Sequence, residues 1–261
     1  MVPFHLWLIS AHVEAPTAGS VILAAILLKL GSYGFIRYSI PLFPEASHLL
    51  SPFLCSLCII AIIYTSVACL AQLDLKRVIA YSSIGHMNTS VIGLFSNDYH
   101  GISASIYFLI SHGLISSALF LLIGVIYDRY HTRTIKYFRG IVMLMPLFTL
   151  IFLIFTLANA AIPGTSGFIS EFIVFLGIYH MNPLVVFAAS AIILTPCYAL
   201  WLFHRVSYGS FSNYLASLFQ DLTVKEFHLF LPLIFFTFLF GLSPHFILNY
   251  LHYFQFQLTS A

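Results

Sequence analysis

The stretch from Gly19 to Arg37 is apolar enough to cross a lipid bilayer, yet it carries a lysine, Lys29, near its middle. A charge at that depth costs about 2.5–3.5 kcal/mol on insertion scales, so such residues usually face a bundle interior or a wet cavity. Small residues such as Ala25 and Gly31 indicate close helix packing around Lys29. The alternative is a lysine whose amine extends to the headgroups, a position for which Arg37 is better placed.

The composition of the whole chain is that of a membrane protein. Of its 261 residues, 61% are hydrophobic and 7% are charged, whereas about a quarter are charged in soluble domains. Lipids and other membrane proteins are therefore the expected partners, and nucleic acid is not. Phosphate-binding loops, dinucleotide fingerprints and iron–sulfur cysteine clusters are absent from the sequence, so we expect no cofactor or metal on this chain. Cys55 and Cys58 have metal-site spacing but lie in an apolar run, which favours helix packing.

The predicted fold class is all-α, a polytopic transmembrane helix bundle with one interrupted helix. The apolar runs and the polar breaks between them divide the chain into four parts. They are the tail of a truncated broken helix (1–13), a transmembrane helix with a central lysine (14–40), a five-helix repeat (41–207) that includes a broken helix (141–180), and a loop with the last transmembrane helix (208–261).

The interruption is predicted from a long apolar run, Ile141 to Tyr179, which Pro163-Gly164-Thr165-Ser166-Gly167 divides. If the run is one span, the basic loops, with Arg205 and Lys225 among them, lie on one side of the membrane and only Arg37 lies on the other. If it is two spans, this bias is lost. The positive-inside rule therefore favours one broken helix, a feature of ion pathways in transporters. A kinked structural helix is the alternative.

Four ionisable residues are the candidate site. Glu171 follows the interruption closely, where the helix dipole stabilises its carboxylate while burial favours its protonated form. His86 and His112 each lie on a stripe of serine and other small residues at helical spacing. Together with Lys29 they could form a hydrated string of proton-exchanging groups. The alternative for the histidines is hydrogen-bonded packing between helices.

Several motifs resemble those of a known family, the antiporter-like membrane subunits of respiratory complex I. The resemblance covers essentially the whole chain and lies in Pro3-Phe4-His5-x-Trp7-Leu8, the run from Ala11 to Ser20, the run from Asp74 to Met87, His112-Gly113, and Pro163-Gly164-Thr165-x-Gly167-Phe168-x-x-Glu171-Phe172. It implies a multi-pass, non-redox subunit of a proton-translocating NADH:ubiquinone oxidoreductase in the mitochondrial inner membrane. NADH oxidation and quinone reduction would take place on other subunits.

The resemblance also implies roles for the candidate residues. In the family, the lysine at Lys29 is the central membrane residue, and the histidines at His86 and His112 belong to the hydrated axis. The glutamate at Glu171 lies on the broken helix and connects toward an exit or the neighbouring subunit. Sister subunits carry lysine at this position, so the glutamate implies one particular member of the family.

The resemblance covers only the later half of a family member, which has two inverted repeats. We therefore expect a separate companion chain that carries the N-terminal half, with antiporter-like subunits 2 and 5 as further partners in the membrane arm. Two other functions remain open. A cation/proton antiporter subunit shares the fold, although lysine in place of Glu171 would favour it. A structural spacer of a membrane complex would need no intramembrane Lys29.

Overall fold

The structure is a computed structural model that describes residues 1–96, 98–179, 185–210 and 220–251. Every regular element in these ranges is helical, which confirms the predicted all-α class. In chain order the helices are α1 (Leu6–Glu14), α2 (Thr17–Leu42), α3 (Pro44–Ala71), α4 (Leu75–Leu94), α5 (Tyr99–Tyr130), α6 (Pro146–Asn159), α7 (Ser166–Tyr179), α8 (Ala191–Ser207) and α9 (Val224–Leu242). Short helical turns at Ile135–Tyr137, Ile141–Met143 and Val185–Ala188 lie between them.

Five helices in the described ranges are long and apolar enough to cross a membrane. They are α2, α3, α5, α9 and the stretch Val186–Ser207, which ends with α8. α4 has 20 residues, a length of about 30 Å, but it carries more polar side chains and is buried on nearly every side. α5 lies at the centre and packs against α2, α4, α6, α7 and α9. The helices that carry His86, His112 and Glu171 thus form the interior of the bundle.

The apolar run from Ile141 to Tyr179 contains two helices, α6 and α7, of 14 residues each. Each is about 21 Å long, which is shorter than the bilayer core of about 30 Å. The turn 160–165 separates them, and Ala161 and Gly164 have positive φ angles of 53° and 96°. These left-handed conformations end the helical hydrogen bonding. That α6 and α7 together cross the membrane once, as a broken helix, stays a prediction.

Cys55 and Cys58 are free, buried thiols on α3. They pack in an apolar cluster with Ile62 and with Ile92 of α4. This position agrees with the packing interpretation, because a small side chain such as cysteine lets neighbouring helices approach closely.

Two polar loops are joined at one end of the bundle. The backbone N–H of Leu75 donates to the carbonyl of Arg133 over 3.0 Å, and that of Ile135 donates to the carbonyl of Leu73 over 2.8 Å. Lys76, at the start of α4, is completely buried. Its amine donates to the carbonyl of Ala15 over 2.9 Å, beyond the end of α1, where cations complement unpaired carbonyls.

The same end of the bundle holds α9. Arg129, at the end of α5, donates two hydrogen bonds to the carboxylate of Glu226, at 3.1 and 2.7 Å. It also donates to the backbone carbonyl of Asp221 over 3.1 Å. The Asp221 carboxylate accepts from the backbone N–H groups of Leu147 and Phe148 at the start of α6, at 3.0 and 3.2 Å. We call Lys76, Arg129, Arg133, Asp221 and Glu226, with their partners, the loop clasp.

Candidate proton-exchange site

Lys29 lies on α2 with its amine turned toward α5. Its Nζ is 3.0 Å from Nδ1 of His112 and also donates to the carbonyl of Ala24. The next residue on α5, Gly113, has no side chain, and a Cβ there would lie 3.7 Å from Cε of Lys29. Ala24 belongs to a π-helical segment, Leu23–Leu27, a distortion that occurs often at functional sites. Close helix packing therefore brings the lysine into direct contact with His112.

His86 connects this pair to Glu171. The imidazole rings of His86 and His112 have their centres 5.5 Å apart and are tilted by 47°. On the other side, Nδ1 of His86 lies 3.3 Å from Oε1 of Glu171. His86, His112 and Glu171 are each about 95% buried. The predicted residues thus follow one another in the order Lys29, His112, His86, Glu171 across four helices, and we call this arrangement the buried row.

The buried row has unused hydrogen-bonding capacity. The contact between His86 and Glu171 has an ion-pair distance but lacks hydrogen-bond alignment. Oε1 of Glu171 therefore has no hydrogen-bond partner within the described ranges, and Nε2 of His86, on the other side of the ring, has none there either. Buried polar atoms without partners are rare and costly in folded proteins, so they indicate either bound water or a functional role.

Two small cavities border His86 and Glu171. Each offers about 10 Å³, close to the room that one water molecule needs. Polar side chains line both, with Ser111, His112 and Asn159 in the first and Thr65, Ser66, Ser82, Thr89, Thr195 and Tyr198 in the second. The site is therefore suited to single water molecules held by several polar partners rather than to an organic ligand.

The interior also holds residues that the sequence did not indicate as part of a site. Ser111 of α5 donates a hydrogen bond to Ser166, the first residue of α7, over 2.8 Å. Asn159, the last residue of α6, lines the first cavity. Asn159 and Ser166 stand at the two helix ends that border the interruption between α6 and α7. A polar residue beside a break in the apolar run is the signal that could have found these two, whereas Ser111 lies in the middle of α5 and carries no such signal.

Two histidines near the start of the chain have no predicted role, and their rings contact aromatic side chains. His12 is fully buried, and its ring stacks on Phe120 with centres 4.7 Å apart and planes 4° from parallel. His5 packs edge-on against Tyr64 at 5.5 Å. Among the described residues, no ring nitrogen of either histidine has a hydrogen-bond partner. The aromatic contacts pack both rings into the bundle, while their ring nitrogens have the same unused hydrogen-bonding capacity as Nε2 of His86.

The sequence is similar to those of one family of membrane proteins. Residues 1–196 match the model of a protein family described as "NADH:quinone oxidoreductase/Mrp antiporter, TM". The chain belongs to this family. It is 53% identical to NADH-ubiquinone oxidoreductase chain 4 of Marchantia polymorpha, over 97% of this chain and 51% of that protein. It is 49% identical to NADH-quinone oxidoreductase subunit M of Rhodobacter capsulatus, over 94% of this chain and 48% of that protein.

A solved structure of a complex I subunit has the same fold. A chain of respiratory complex I from Thermus thermophilus, solved with bound NADH, superposes with a TM-score of 0.89 and 31% sequence identity. The superposition covers 96% of this chain and 53% of that one. The chain spans about half the length of the curated relatives it matches. The predicted resemblance to the later half of a family member, for which glutamate at Glu171 indicated subunit 4, is confirmed.

Proposed function

We propose that this chain conducts protons through the membrane arm of a NADH:ubiquinone oxidoreductase, in the mitochondrial inner membrane. The buried row is the proposed conduit. One observation carries the proposal: Lys29, His112, His86 and Glu171 come from four different helices and still form an unbroken series of contacts in the interior. Such a series of costly groups is typical of proton relays in membrane proteins.

The first step of the proposed path is a direct one. Nζ of Lys29 and Nδ1 of His112 lie 3.0 Å apart, a distance at which a proton passes along a hydrogen bond. In the tautomer of His112 with Nδ1 unprotonated, the ammonium of Lys29 donates to it. An imidazole has two ring nitrogens, so it can accept a proton on one side and release one on the other. His112 is thereby a carrier between Lys29 and His86.

The second step needs a water molecule. With ring centres 5.5 Å apart, His112 and His86 are within reach of one bridging water, and both line the first cavity. Beyond it, the carboxylate of Glu171 receives the proton from His86. Because Nε2 of His86 and Oε1 of Glu171 have no hydrogen-bond partner in the part of the chain that the structure describes, each is available to such a water or proton.

Energy for the transport would come from NADH oxidation and quinone reduction on other subunits, since the chain carries no motif for a redox cofactor. A companion chain would supply the N-terminal half that the relatives have, and antiporter-like subunits 2 and 5 would be its neighbours. The basic loops would face the mitochondrial matrix by the positive-inside rule. Native-gel separation of the active complex, followed by mass spectrometry of each chain, tests the companion: its absence from the active band would contradict this part of the proposal.

The conduction role is tested with Lys29→Ala in the assembled complex. Pumped protons per electron are measured in proteoliposomes, with NADH oxidation followed in the same vesicles. We expect the ratio to fall because the first donor is lost. Lys136→Ala is the matched control, since Lys136 is an exposed lysine of the loops. An unchanged ratio in an assembled Lys29→Ala complex would overturn the proposal.

A further inference from the structure

The last described helix, α9, touches the turn between α6 and α7 backbone to backbone. A Cβ added to Gly241 would lie 2.2 Å from the carbonyl oxygen of Gly164 and 2.7 Å from the carbonyl carbon of Thr165, whereas real Cβ atoms essentially never come within 3.0 Å of another atom. Both partners are backbone atoms, so no side chain can rotate away. Only glycine at position 241 allows this approach.

A second contact holds α9 at Phe240, the residue before Gly241. Tyr107 of α5 is completely buried, and its hydroxyl donates to the carbonyl of Phe240 over 2.6 Å. At its other end, α9 is held by the two hydrogen bonds from Arg129 to Glu226. The helix is therefore attached at both ends to α5, which also carries His112, and its far end rests on the turn 160–165.

We propose that α9 holds the turn 160–165 in place and thereby sets the position of Glu171 in the buried row. Gly241 and Tyr107 are positioning residues in this arrangement, since neither touches the row itself. The inference rests on the proposed proton-conducting function, because it concerns the geometry of one member of the conduit.

A displacement of the turn 160–165 is transmitted to Glu171 through α7. This helix begins at Ser166, directly after the turn, and Glu171 lies about 7.5 Å further along it. A helix over that distance moves as a rigid unit, so a displaced turn displaces Glu171. A new methyl group at Gly241 would push the turn by about 1 Å. His86 and Glu171 lie 3.3 Å apart, so a displacement of about 1 Å away from His86 would take the carboxylate beyond the roughly 4 Å of an ion-pair contact.

The test uses Gly241→Ala in the assembled complex, reconstituted in proteoliposomes. The measured quantity is the number of protons pumped per electron, which does not depend on how much complex assembles. We expect the ratio to fall by at least roughly half of the loss that Glu171→Gln produces. Leu242→Ala is the control, because Leu242 is the next residue of α9 and its side chain is 78% exposed. It should leave the ratio unchanged.

Tyr107→Phe is the second variant, and it decides the matter if Gly241→Ala does not assemble. It removes only the hydroxyl that holds Phe240, so α9 stays in place but is less firmly held. We expect a smaller fall in the ratio than with Gly241→Ala, with NADH oxidation retained in uncoupled vesicles. A ratio equal to that of the unaltered complex in Tyr107→Phe and in every assembled Gly241→Ala preparation would overturn the inference.

The double variant Gly241→Ala/Glu171→Gln separates positioning from general damage. If Gly241 acts through Glu171, the double variant pumps no worse than Glu171→Gln alone, whereas independent losses would add. Additive losses would therefore contradict the inference. If Glu171→Gln itself leaves the ratio unchanged, it is the conduit that fails. If Glu171→Gln lowers the ratio and Gly241→Ala does not, only the role of α9 is wrong.

Discussion

The loop clasp and the buried row both place charged side chains inside this protein, but they satisfy them differently. Arg129 in the loop clasp donates to two carboxylate oxygens and to backbone carbonyls, and Lys76 donates to the carbonyl of Ala15. In the buried row, the polar atoms Nε2 of His86 and Oε1 of Glu171 have no hydrogen-bond partner within the described ranges. Buried charge alone therefore does not distinguish a structural group from a functional one.

The two regions differ in how many positions and charge states the surroundings allow each ionisable side chain. The Arg129 guanidinium, whose donors are all occupied, has one favourable position and one charge state, so it fixes the loops to the helices. Arg133 of the loop clasp is less completely satisfied, because its Nε has no hydrogen-bond partner among the described residues. A histidine or carboxylate with an unused acceptor can gain or lose a proton and exchange partners at little further cost. We therefore expect changes in the loop clasp to act mainly on stability, and changes in the buried row to act mainly on proton transport.

Arg129→Met should have the largest effect on stability. It leaves the carboxylate of Glu226 without its partner, and breaking a buried ion pair costs about 3–5 kcal/mol. Because Glu226 is partly exposed, with 26% of its side chain accessible, hydration of its carboxylate will offset part of this free-energy cost. Thermal dissociation of the purified complex, monitored by tryptophan fluorescence, measures the loss. A variant as stable as the unaltered complex would show that the loop clasp does not hold α9.

Arg133→Met should have the next largest effect. Arg133 donates to the carbonyl of Val13 and its guanidinium lies 4.3 Å above the ring of Tyr127. Methionine keeps most of the volume but leaves the carbonyl unpaired, at a cost of about 1–3 kcal/mol. The same thermal measurement applies, and protons pumped per electron should stay constant. A changed proton ratio with unchanged stability would place Arg133 in the conduit instead.

Thr223→Ala should cost about 1 kcal/mol, the usual value for losing an N-terminal helix cap. The hydroxyl of Thr223 accepts from the backbone N–H of Glu226 over 3.4 Å, and the Glu226 carboxylate accepts from the backbone N–H of Thr223 over 2.8 Å. Thr223→Ser retains the hydroxyl and is the control. Equal thermal stability of the two variants would show that this capping box adds nothing measurable to α9.

Glu171→Gln should change stability least, by less than about 1 kcal/mol, because the amide has the same shape and removes an incompletely satisfied buried charge. Proton pumping should nevertheless fall, since glutamine cannot exchange a proton. Thermal dissociation and the proton ratio are measured on the same preparation. Loss of stability comparable to that of Arg129→Met, with pumping intact, would reverse the comparison between the two regions.

Much of the fold can be predicted from the pattern of apolar and polar residues along the sequence. Helix composition and length are readable because a spanning helix must satisfy its own backbone in lipid, and the interruption near Gly164 is marked by proline and glycine. The choice of Lys29 and Glu171 as candidates follows in the same way, since ionisable groups are expensive within apolar runs. These features depend on local sequence and on the surrounding lipid.

Contacts between helices that are far apart in the sequence could not be predicted from it. The sequence places Lys76 in a turn among the basic loops, whereas the structure buries it completely against Ala15. The hydropathy of residues 72–76 gives no sign of this, because the partner is a carbonyl about 60 positions away. Likewise, the contact of Lys29 with His112 rather than His86 depends on which helices are neighbours, which no spacing along the chain determines.

The most direct test compares changes of the half-buried Lys29 and the completely buried Lys76, Lys29→Ala and Lys76→Ala, in the assembled complex. Protons pumped per electron and thermal dissociation are measured side by side. We expect Lys29→Ala to lower the proton ratio with little loss of stability, and Lys76→Ala to lower stability and leave the ratio unchanged. An unchanged ratio in Lys29→Ala, or the same fall in both variants, would contradict the claim that the buried row conducts protons.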